Sequence, residues 1–350
     1  MKRARIFLGV LRVLGLLGVL ATLASFGCQR PFDSQSQIQT LRVVAVRMDH
    51  PIPAPDTDVT IEMLVWDGSP NALHKDGTHR PVQIAWLGGC FDPRGDLYYA
   101  CYEGLGPAQD ALAAGTKSPL VSRDATFTLH LPADLITRRS ARGSLPYGLS
   151  YVFYAVCAGT IVPVRSNAVS TPPLDCLGDD GAHVSSDGFV YGYLPIYSYP
   201  GVDNHNPIVR GGTFEGLTYD KKCTLDGDCD SGQACGSSKL CLPVVGHCGD
   251  DCRERTLKAT VDVPASTEPN PVASLRAKEP RHELLYVQYL TDHGTLGGDT
   301  RTIVDARNPH DDYETKWHPP DTAVGETRIW AIVHDDRGGV TWWWQDVVVR

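Results

Sequence analysis

Short stretches in which apolar and polar residues alternate, separated by polar turns, make up most of the chain after residue 40. Residues 59–66 show the pattern most clearly, because the apolar side chains at alternate positions would share one face of a strand. Residues 82–86 alternate in the same way and place Trp86 on the inward face. Further stretches with strand character are residues 41–47, 125–131, 151–157, 164–170, 204–210, 257–263, 284–290, 312–317, 327–334 and 340–350.

Helical patterns are scarce by comparison. Residues 107–114 begin with proline and are followed by Gly115, which predicts one short helix within a loop. The 34 glycines and 25 prolines interrupt the chain too often for long helices. We therefore predict an all-β fold with two immunoglobulin-like β-sandwich domains, at residues 41–176 and 205–350, joined by a tyrosine-rich connection at residues 177–204.

The first 27 residues have a different character. A basic start precedes an apolar run over residues 13–26, and Gly27 directly precedes Cys28. A run of this length is typical of an export signal and too short to span a bilayer. We therefore predict a signal peptide at residues 1–27, with residues 28–40 forming a polar tether to the first domain.

The Gly27-Cys28 junction resembles the lipobox of bacterial lipoproteins, in which the cysteine is acylated and becomes the new N-terminus. It differs at Ser25, where that family favours leucine. The resemblance implies an acyl group such as palmitate on Cys28 and attachment to the membrane; an ordinary cleaved signal with Cys28 unmodified is the alternative. Gln29 stands in place of the aspartate that retains such proteins at the inner membrane, which favours the outer membrane.

Ten further cysteines, an even number in an exported chain, predict disulfides rather than thiol chemistry. In the first domain we favour Cys90 with Cys101 and Cys157 with Cys176, because Cys90 and Cys157 would lie far beyond the Cα separation of about 7 Å that a disulfide tolerates. Six more cysteines form an insert at residues 223–252 that is too poor in apolar residues to fold by burial alone. They are Cys223, Cys229, Cys235, Cys241, Cys248 and Cys252, and fifteen sets of three disulfides are open to them.

The insert resembles small extracellular modules of the epidermal-growth-factor or Dickkopf kind, and it lacks the Cys-x2-Cys spacing of zinc ribbons. Trp86 in a third strand, the closing hairpin around Asp335-Asp-Arg-Gly-Gly339 and the lipobox together resemble the plan of bacterial surface lipoproteins with tandem immunoglobulin-like domains. This resemblance implies a fold and a cell-envelope location, whereas a fold of this class does not name a function.

Within the insert, Asp226, Asp228 and Asp230 occupy alternate positions, as oxygen ligands do in calcium loops. The sequence departs from the EF-hand pattern, because Gly232 falls one position late and Ser237 stands where a bidentate glutamate is expected. The three aspartates are a candidate calcium site, with an ordinary solvated acidic turn as the competing interpretation. No other cofactor is predicted.

Two groups of aromatic residues are candidates for ligand binding. The first lies in the predicted joint, where Pro195 indicates an edge strand. Its members are Tyr191, Tyr193, Tyr197 and Tyr199. In the second, Trp342 and Trp344 lie on one face of the last strand and Trp343 on the other. These rings either pack beneath the insert or the joint, or form an open platform for a sugar or a protein.

The net charge of −9 argues against nucleic acid as a partner. Catalytic motifs are incomplete: in His282-Glu-Leu-Leu-Tyr286 a tyrosine replaces the second histidine of a zinc-protease helix, and no Gly-x-Ser-x-Gly sequence occurs. We therefore predict that the protein is not an enzyme.

The preferred hypothesis is a non-catalytic cell-envelope lipoprotein that acts as a structural or protein-interaction module at the bacterial surface. A carbohydrate-binding adhesin that uses exposed tyrosine and tryptophan rings is the alternative, and an envelope hydrolase is a third. The expected partners are the membrane, through the lipid anchor, and an envelope protein or polysaccharide.

Overall fold

The structure is a computed structural model. It describes residues 34–70, 72, 80–139, 145–165, 171–249, 252–305 and 308–350. The predicted signal peptide and Cys28 lie outside these residues. Residues Gln35–Arg350 form one compact unit. In the described ranges, no helix is both long enough and apolar enough to cross a membrane.

The first half of the unit is a β-sandwich with one helix and a hairpin added to it. Its elements are β1 (Leu41–Met48), β2 (Asp58–Asp67), β3 (Gln83–Phe91), α1 (Gly106–Ala114), β4 (Val121–Ser122), β5 (Thr126–His130), β6 (Gly148–Cys157), β7 (Thr160–Pro163), β8 (Leu174–Leu177) and β9 (Phe189–Ser198). Turns of 3-10 helix at Arg94–Asp96 and Tyr98–Leu105 precede α1. The two sheets have the strand orders β1-β2-β5 and β4-β3-β6-β9, which is the immunoglobulin-like arrangement predicted.

Alternate residues of the two sheets fill the core between them. Trp86 of β3 is fully buried, and its ring stacks on Phe127 of β5 with centroids 6.1 Å apart. Its indole Nε1 donates to the carbonyl oxygen of Asp124 at 2.9 Å. The prediction that Trp86 points inward is therefore confirmed.

The outer face of the β4-β3-β6-β9 sheet is covered by a third layer, which consists of α1 and the β7-β8 hairpin. The predicted short helix is confirmed and ends at Gly115, whose φ of 63° lies in the left-handed region that glycine favours. Buried Gln109 of α1 donates to the carbonyl oxygens of Val164 and Pro173, at 2.8 and 3.1 Å. Both faces of this sheet are therefore buried over much of their area.

Two disulfides attach this third layer to the sandwich. Cys90 of β3 is bonded to Cys101, and Cys157 of β6 to Cys176 of β8, which are the pairings favoured from the sequence. The strand expected at residues 164–170 is wrong in its described part, because β7 ends at Pro163. Residues 166–170 lie outside the described residues.

The second half of the unit is a larger sandwich. Its elements are β10 (Val209–Phe214), β11 (Gln233–Cys235), β12 (Cys241–Val245), β13 (Arg255–Val261), α2 (Val263–Ser266), α3 (Pro271–Ala277), β14 (Leu285–Thr291), β15 (Thr295–Leu296), β16 (Thr300–Val304), β17 (Thr315–His318), β18 (Gly325–Asp335) and β19 (Val340–Val349). Its sheets have the orders β10-β13-β17-β15 and β11-β12-β19-β18-β14-β16. The strand expected at residues 204–210 starts later than predicted, at Val209, and the closing β18-β19 hairpin is confirmed.

The cysteine-rich insert extends one sheet of this sandwich. Strand β12 runs parallel to the end of β19, with Val244 beside Val348, and β11 pairs with β12. The side chain of Glu326 on β18 accepts hydrogen bonds from the amide and the hydroxyl of Ser237, each at 2.6 Å. Its disulfides are Cys223–Cys235, Cys229–Cys241 and Cys248–Cys252.

The two sandwiches pack face to face through β1 and β2 on one side and β14, β18 and β19 on the other. Trp330 of β18 is fully buried in this interface, and its ring meets that of Trp66 edge to face at 5.0 Å. Ile38 is also fully buried there, and its amide donates to the carbonyl oxygen of Thr291 at 2.8 Å. The β1-β2 sheet therefore lies between two apolar cores.

Two predicted connections are wrong. Residues 35–40 are not a free tether, because the burial of Ile38 between the sandwiches fixes this segment to the second sandwich. The predicted joint at 177–204 contains β9, which pairs with β6 along its whole length and forms the edge of the first sandwich. Leu194 and Ile196 of β9 face the core, which accounts for the pairing.

Candidate functional site

Strand β9 presents a row of tyrosines on its outer face. Successive side chains of a strand alternate between faces, so Tyr191, Tyr193 and Tyr197 share the face opposite to Ile196. Their exposed fractions are 54%, 43% and 37%, whereas Ile196 is fully buried. The strand is an edge, as Pro195 indicated, and its pairing with β6 holds the row in a fixed position.

Tyrosines from other parts of the chain enlarge this row. The ring of Tyr98 stacks on that of Tyr193 with centroids 4.3 Å apart, and Tyr147 lies 5.9 Å from Tyr197. We call the combined area the tyrosine surface. It comprises Tyr98, Tyr147, Tyr191, Tyr193, Tyr197 and Tyr199. Sequence reasoning missed Tyr98 and Tyr147, because only the folding of the third layer and the turn before β6 brings them to β9.

Buried polar contacts hold the tyrosine surface from beneath. The hydroxyl of Tyr147 donates to Asp96 Oδ2 at 2.6 Å, and that of Tyr151 donates to the carbonyl oxygen of Asp96 at 2.9 Å. The guanidinium of Arg139 pairs with Asp96 and lies 4.3 Å above the Tyr147 ring. Burial raises the pKa of Tyr151 to about 12, because the phenolate form would be poorly solvated in this environment.

A concave site lies beside Tyr191 and Tyr193. Its volume is about 510 Å³, and Tyr102, Pro172 and Pro173 form other parts of its wall. Gly192 lies between these two tyrosines, and the side chain of Tyr154 packs closely against its backbone. A Cβ at Gly192 would lie 2.5 Å from the Tyr154 hydroxyl, so only glycine fits at this point of β9. The tyrosine surface therefore contains a depression lined by aromatic and proline rings.

The tryptophans of β19 do not form an open platform. Trp343 packs into the core of the second sandwich, and Trp342 faces the first sandwich, where the guanidinium of Arg47 lies 4.3 Å from its ring. Trp344 is partly exposed, but Arg328 lies 4.9 Å from its ring and pairs with Asp346. The prediction that Trp342 contributes to a free binding platform is wrong, because the first sandwich covers its ring, whereas Trp344 keeps 39% of its surface exposed and stays a candidate.

The candidate calcium site is not assembled either. Asp226 accepts from the amide of Cys235, and Asp228 accepts from the amides of Thr224 and Leu225, while Asp230 pairs with Lys221 at 2.8 Å. Backbone hydrogen bonds lower the pKa of Asp228. Each carboxylate therefore stabilises its own turn instead of converging on a cation.

Among the described residues, one cluster does have metal-ligand spacing, and it consists of sulfur atoms. Cys223, Cys229 and Cys241 bring their Sγ atoms within 4.8 Å of one another. All three sulfurs are in disulfides, and a metal ligand would have to be a thiolate. The cluster is therefore structural.

A network of buried polar groups connects the sandwiches, and we call it the connector network. Its members are Asn204, Asn206, Glu283, Asp335 and Arg337. Asn206 donates to the carbonyl oxygen of Met48 at 2.7 Å and accepts from the amide of Val340 at 2.9 Å, so one side chain joins both sandwiches. Asn204 is fully buried and donates to Asp335 Oδ2 at 3.1 Å.

Glu283 is the acid of the connector network whose pKa is raised furthest above its ordinary value. Burial raises its pKa to about 7, although the amide of Glu268 and the guanidinium of Arg337 offset part of the rise. Its Oε1 accepts from Arg337 at 2.8 Å and its Oε2 from the amide of Glu268 at 3.0 Å. With only 1% of its surface exposed, Glu283 cannot reach a substrate, and its role is structural.

Known proteins offer little help with function. No known protein family matches the chain, and no curated protein is similar to it. Among solved structures, fibronectin(III)-like modules of Clostridium thermocellum CbhA align with 13% identity and a TM-score of 0.19, over 87% of this chain and 94% of theirs. Three N-terminal domains of the highly immunogenic outer capsid protein of bacteriophage RB49 align with 9% identity and a TM-score of 0.17, over 89% and 70%.

A third alignment is with dimeric latent PorU of Porphyromonas gingivalis. It has 10% identity and a TM-score of 0.17, and it covers 90% of this chain but 24% of that protein. All three TM-scores are below 0.5, so the assignment of the fold rests on the strand order of this chain: an all-β protein of two immunoglobulin-like sandwiches, with a disulfide-rich insert in the second.

Proposed function

We propose that this protein is a non-catalytic recognition module of the bacterial cell envelope, and that its tyrosine surface binds a protein partner. The observation that carries the proposal is the row of half-exposed tyrosines on the edge strand β9, which pairs with β6 along its whole length. Tyrosine offers a large apolar ring and a polar hydroxyl at low conformational cost, and it is enriched in protein interfaces. A surface built from six such rings is suited to recognition rather than to catalysis.

The geometry of the rings favours a protein over a carbohydrate. A pyranose stacks on a free aromatic face, whereas Tyr193 and Tyr98 are stacked on each other with their planes 15° apart. Of the two tryptophans that would enlarge a sugar platform, Trp342 faces the first sandwich, and the guanidinium of Arg328 lies 4.9 Å from the ring of Trp344. What this surface offers is ring edges and hydroxyl groups, which suit the mixed apolar and polar surface of a protein.

We expect replacement of Tyr191 and Tyr193 by serine to weaken partner binding at least tenfold, because interface tyrosines each contribute on the order of 1 to 2 kcal/mol. To find the partner, a photo-crosslinking amino acid is placed at residue 191 in the native host and the adduct is identified. The purified partner is then titrated against the wild type and against the variant with serine at residues 191 and 193. Tyr286→Ser is the matched control, since Tyr286 is exposed to a similar extent, 37%, on the other sandwich. Equal crosslinking from residues 191 and 286, or retention of a purified envelope polysaccharide by the wild type alone, would contradict a protein partner.

We further propose that an acyl chain on Cys28 holds the module at the outer membrane. The apolar run before Gly27-Cys28 and the glutamine that follows support this proposal. We expect the wild type, expressed with its own leader, to partition into detergent with the mass of an acylated protein, and Cys28→Ala to be released as a soluble periplasmic protein. A soluble wild type of unmodified mass would overturn the anchor without affecting the proposal for the tyrosine surface.

A further inference from the structure

A second cavity lies between the two sandwiches and is distinct from the depression beside Tyr191. One wall comes from β9 and the loop after β1, and the other from α3 and the segment before β14. Its volume is about 890 Å³, which is within the range of roughly 300 to 1,000 Å³ typical of small-molecule sites. We call it the interdomain cleft.

The walls of the interdomain cleft are mainly aliphatic. Met48, Ile52 and Leu194 line it from the first sandwich, and Val272 and Leu284 from the second. Leu284 is 38% exposed although it points into a concave site. Aliphatic walls of this kind gain about 0.8 kcal/mol for each methylene group that they remove from water. An alkyl chain is therefore a ligand group that fits these walls.

The charged groups around the cleft are not equivalent. Arg281 pairs with Glu279 and Arg337 with Glu283, whereas Arg276 in the last turn of α3 has no ion pair within the described part of the chain. Arg276 lies close enough to Tyr199 to offset part of the rise in the pKa of that hydroxyl caused by burial. Of the three arginines that line the cleft, Arg276 is therefore the one without an ion pair in the part of the chain that the structure describes, and His282 lines the cleft as well.

The acidic group of the cleft is already engaged. Asp336 Oδ1 accepts from the amide of Leu284 at 3.1 Å, and Oδ2 accepts from the side-chain amide of Asn270 at 3.2 Å. Both donors are neutral, so these hydrogen bonds orient Asp336 without cancelling its charge, and an anionic ligand would bind at Arg276. A free guanidinium beside an aliphatic wall is complementary to an anionic head on an alkyl chain.

We infer that the interdomain cleft binds an amphipathic anion: an alkyl chain placed along Ile52, Leu194 and Val272, with a carboxylate or phosphate at Arg276. The chain could belong to a free fatty acid or to an anionic lipid of the membrane. Because both walls contribute, the ligand contacts both sandwiches at once. Tyr197 and Tyr199 of the tyrosine surface also line the cleft, whereas Tyr191 and Tyr193 do not.

The inference is tested by titrating the full chain with decanoate in a calorimeter. The chain carries Cys28→Ala so that it can be handled without detergent. We expect decanoate to bind more tightly than decanol, and affinity to rise about fourfold for each added methylene from octanoate to dodecanoate. Arg276→Ala should weaken decanoate binding about tenfold or more and leave decanol unchanged. Ala277→Trp, at an exposed position that lines the cleft, should abolish binding of both.

Arg210→Ala is the matched control, because Arg210 is an exposed arginine that does not line the cleft, and decanoate should bind this variant as it binds the wild type. Vesicles of phosphatidylcholine with phosphatidylglycerol distinguish the two sources of the ligand. If the wild type binds these vesicles and Ala277→Trp does not, the ligand is a membrane lipid. If the wild type binds decanoate but not the vesicles, the ligand is a free fatty acid. Two results would overturn the inference. One is that the wild type does not bind decanoate at about 1 mM, which is on the order of the weakest affinity of interest. The other is that the wild type and Ala277→Trp bind decanoate equally.

Discussion

Replacing Arg337 by alanine is expected to destabilise the protein by about 3 to 5 kcal/mol, because it leaves a buried carboxylate without its counter-ion. The guanidinium of Arg337 is 6% exposed and donates to Glu283 Oε1 at 2.8 Å and to the carbonyl oxygen of Pro269 at 3.1 Å. It also donates to the carbonyl oxygen of Asp203, in the segment that leads from the first sandwich to the second. Unfolding in urea, followed by tryptophan fluorescence at pH 8, measures the loss.

Two further variants separate the buried charge from other effects of this change. Arg210→Ala removes an exposed arginine paired with Asp262 and should cost less than about 1 kcal/mol. Adding Glu283→Gln to Arg337→Ala should restore part of the stability, since a neutral amide is less costly to bury than an unpaired carboxylate. If Arg337→Ala costs no more than Arg210→Ala, Arg337 does not stabilise the connector network.

Replacing Trp330 by alanine is expected to cost about 3 to 5 kcal/mol and to uncouple the two sandwiches. Trp330 is fully buried between them, in contact with the ring of Trp66 and among apolar residues of β1 and β14. The cavity left by the indole would lie in the interface itself and not in the core of either sandwich. Scanning calorimetry should therefore show two separate unfolding transitions in the variant where the wild type shows one.

Trp330→Phe and Trp344→Ala are the controls for this experiment. The indole Nε1 of Trp330 is buried and has no hydrogen-bond partner within the described residues, so phenylalanine loses volume but no hydrogen bond. Trp344 lies on the same face but is 39% exposed, and its removal should cost less than about 2 kcal/mol. A single transition at the wild-type temperature in Trp330→Ala would show that this interface does not couple the sandwiches.

The sequence was sufficient to predict the fold class and many of the strands, whereas β9 was assigned to a joint and β7, β8 and β16 were not predicted. Alternation at residues 59–66 and 82–86 identified faces that are buried as expected, with Trp86 in the core. The cysteine pairs of the first sandwich followed from distances along strands, and the short helix from Pro107 and Gly115. These features depend on neighbouring residues or on one repeated pattern, so a single chain contains the information for them.

Packing between the sandwiches could not be predicted, because it depends on which faces meet. Val44 and Ala45 of β1 are both buried in the interface between the sandwiches, because the bulge between Val43 and Ala45 places two successive side chains on the same side of the strand. Ile38 is a single apolar residue among polar ones and gives no periodic signal. Trp342 was consistent with a covered or an open face, and only the position of the first sandwich decides between them.

The parallel pairing of β12 with β19 has a consequence for the behaviour of the protein at high concentration. The last residues of β19 are three consecutive valines, and an unpaired strand edge of this composition would pair with a second molecule and start aggregation. Strand β12 pairs with this end of β19 and so covers the edge. The new edge of the sheet is β11, which is only three residues long and is constrained by disulfides. The insert thus protects the sandwich against intermolecular strand exchange, independently of any ligand.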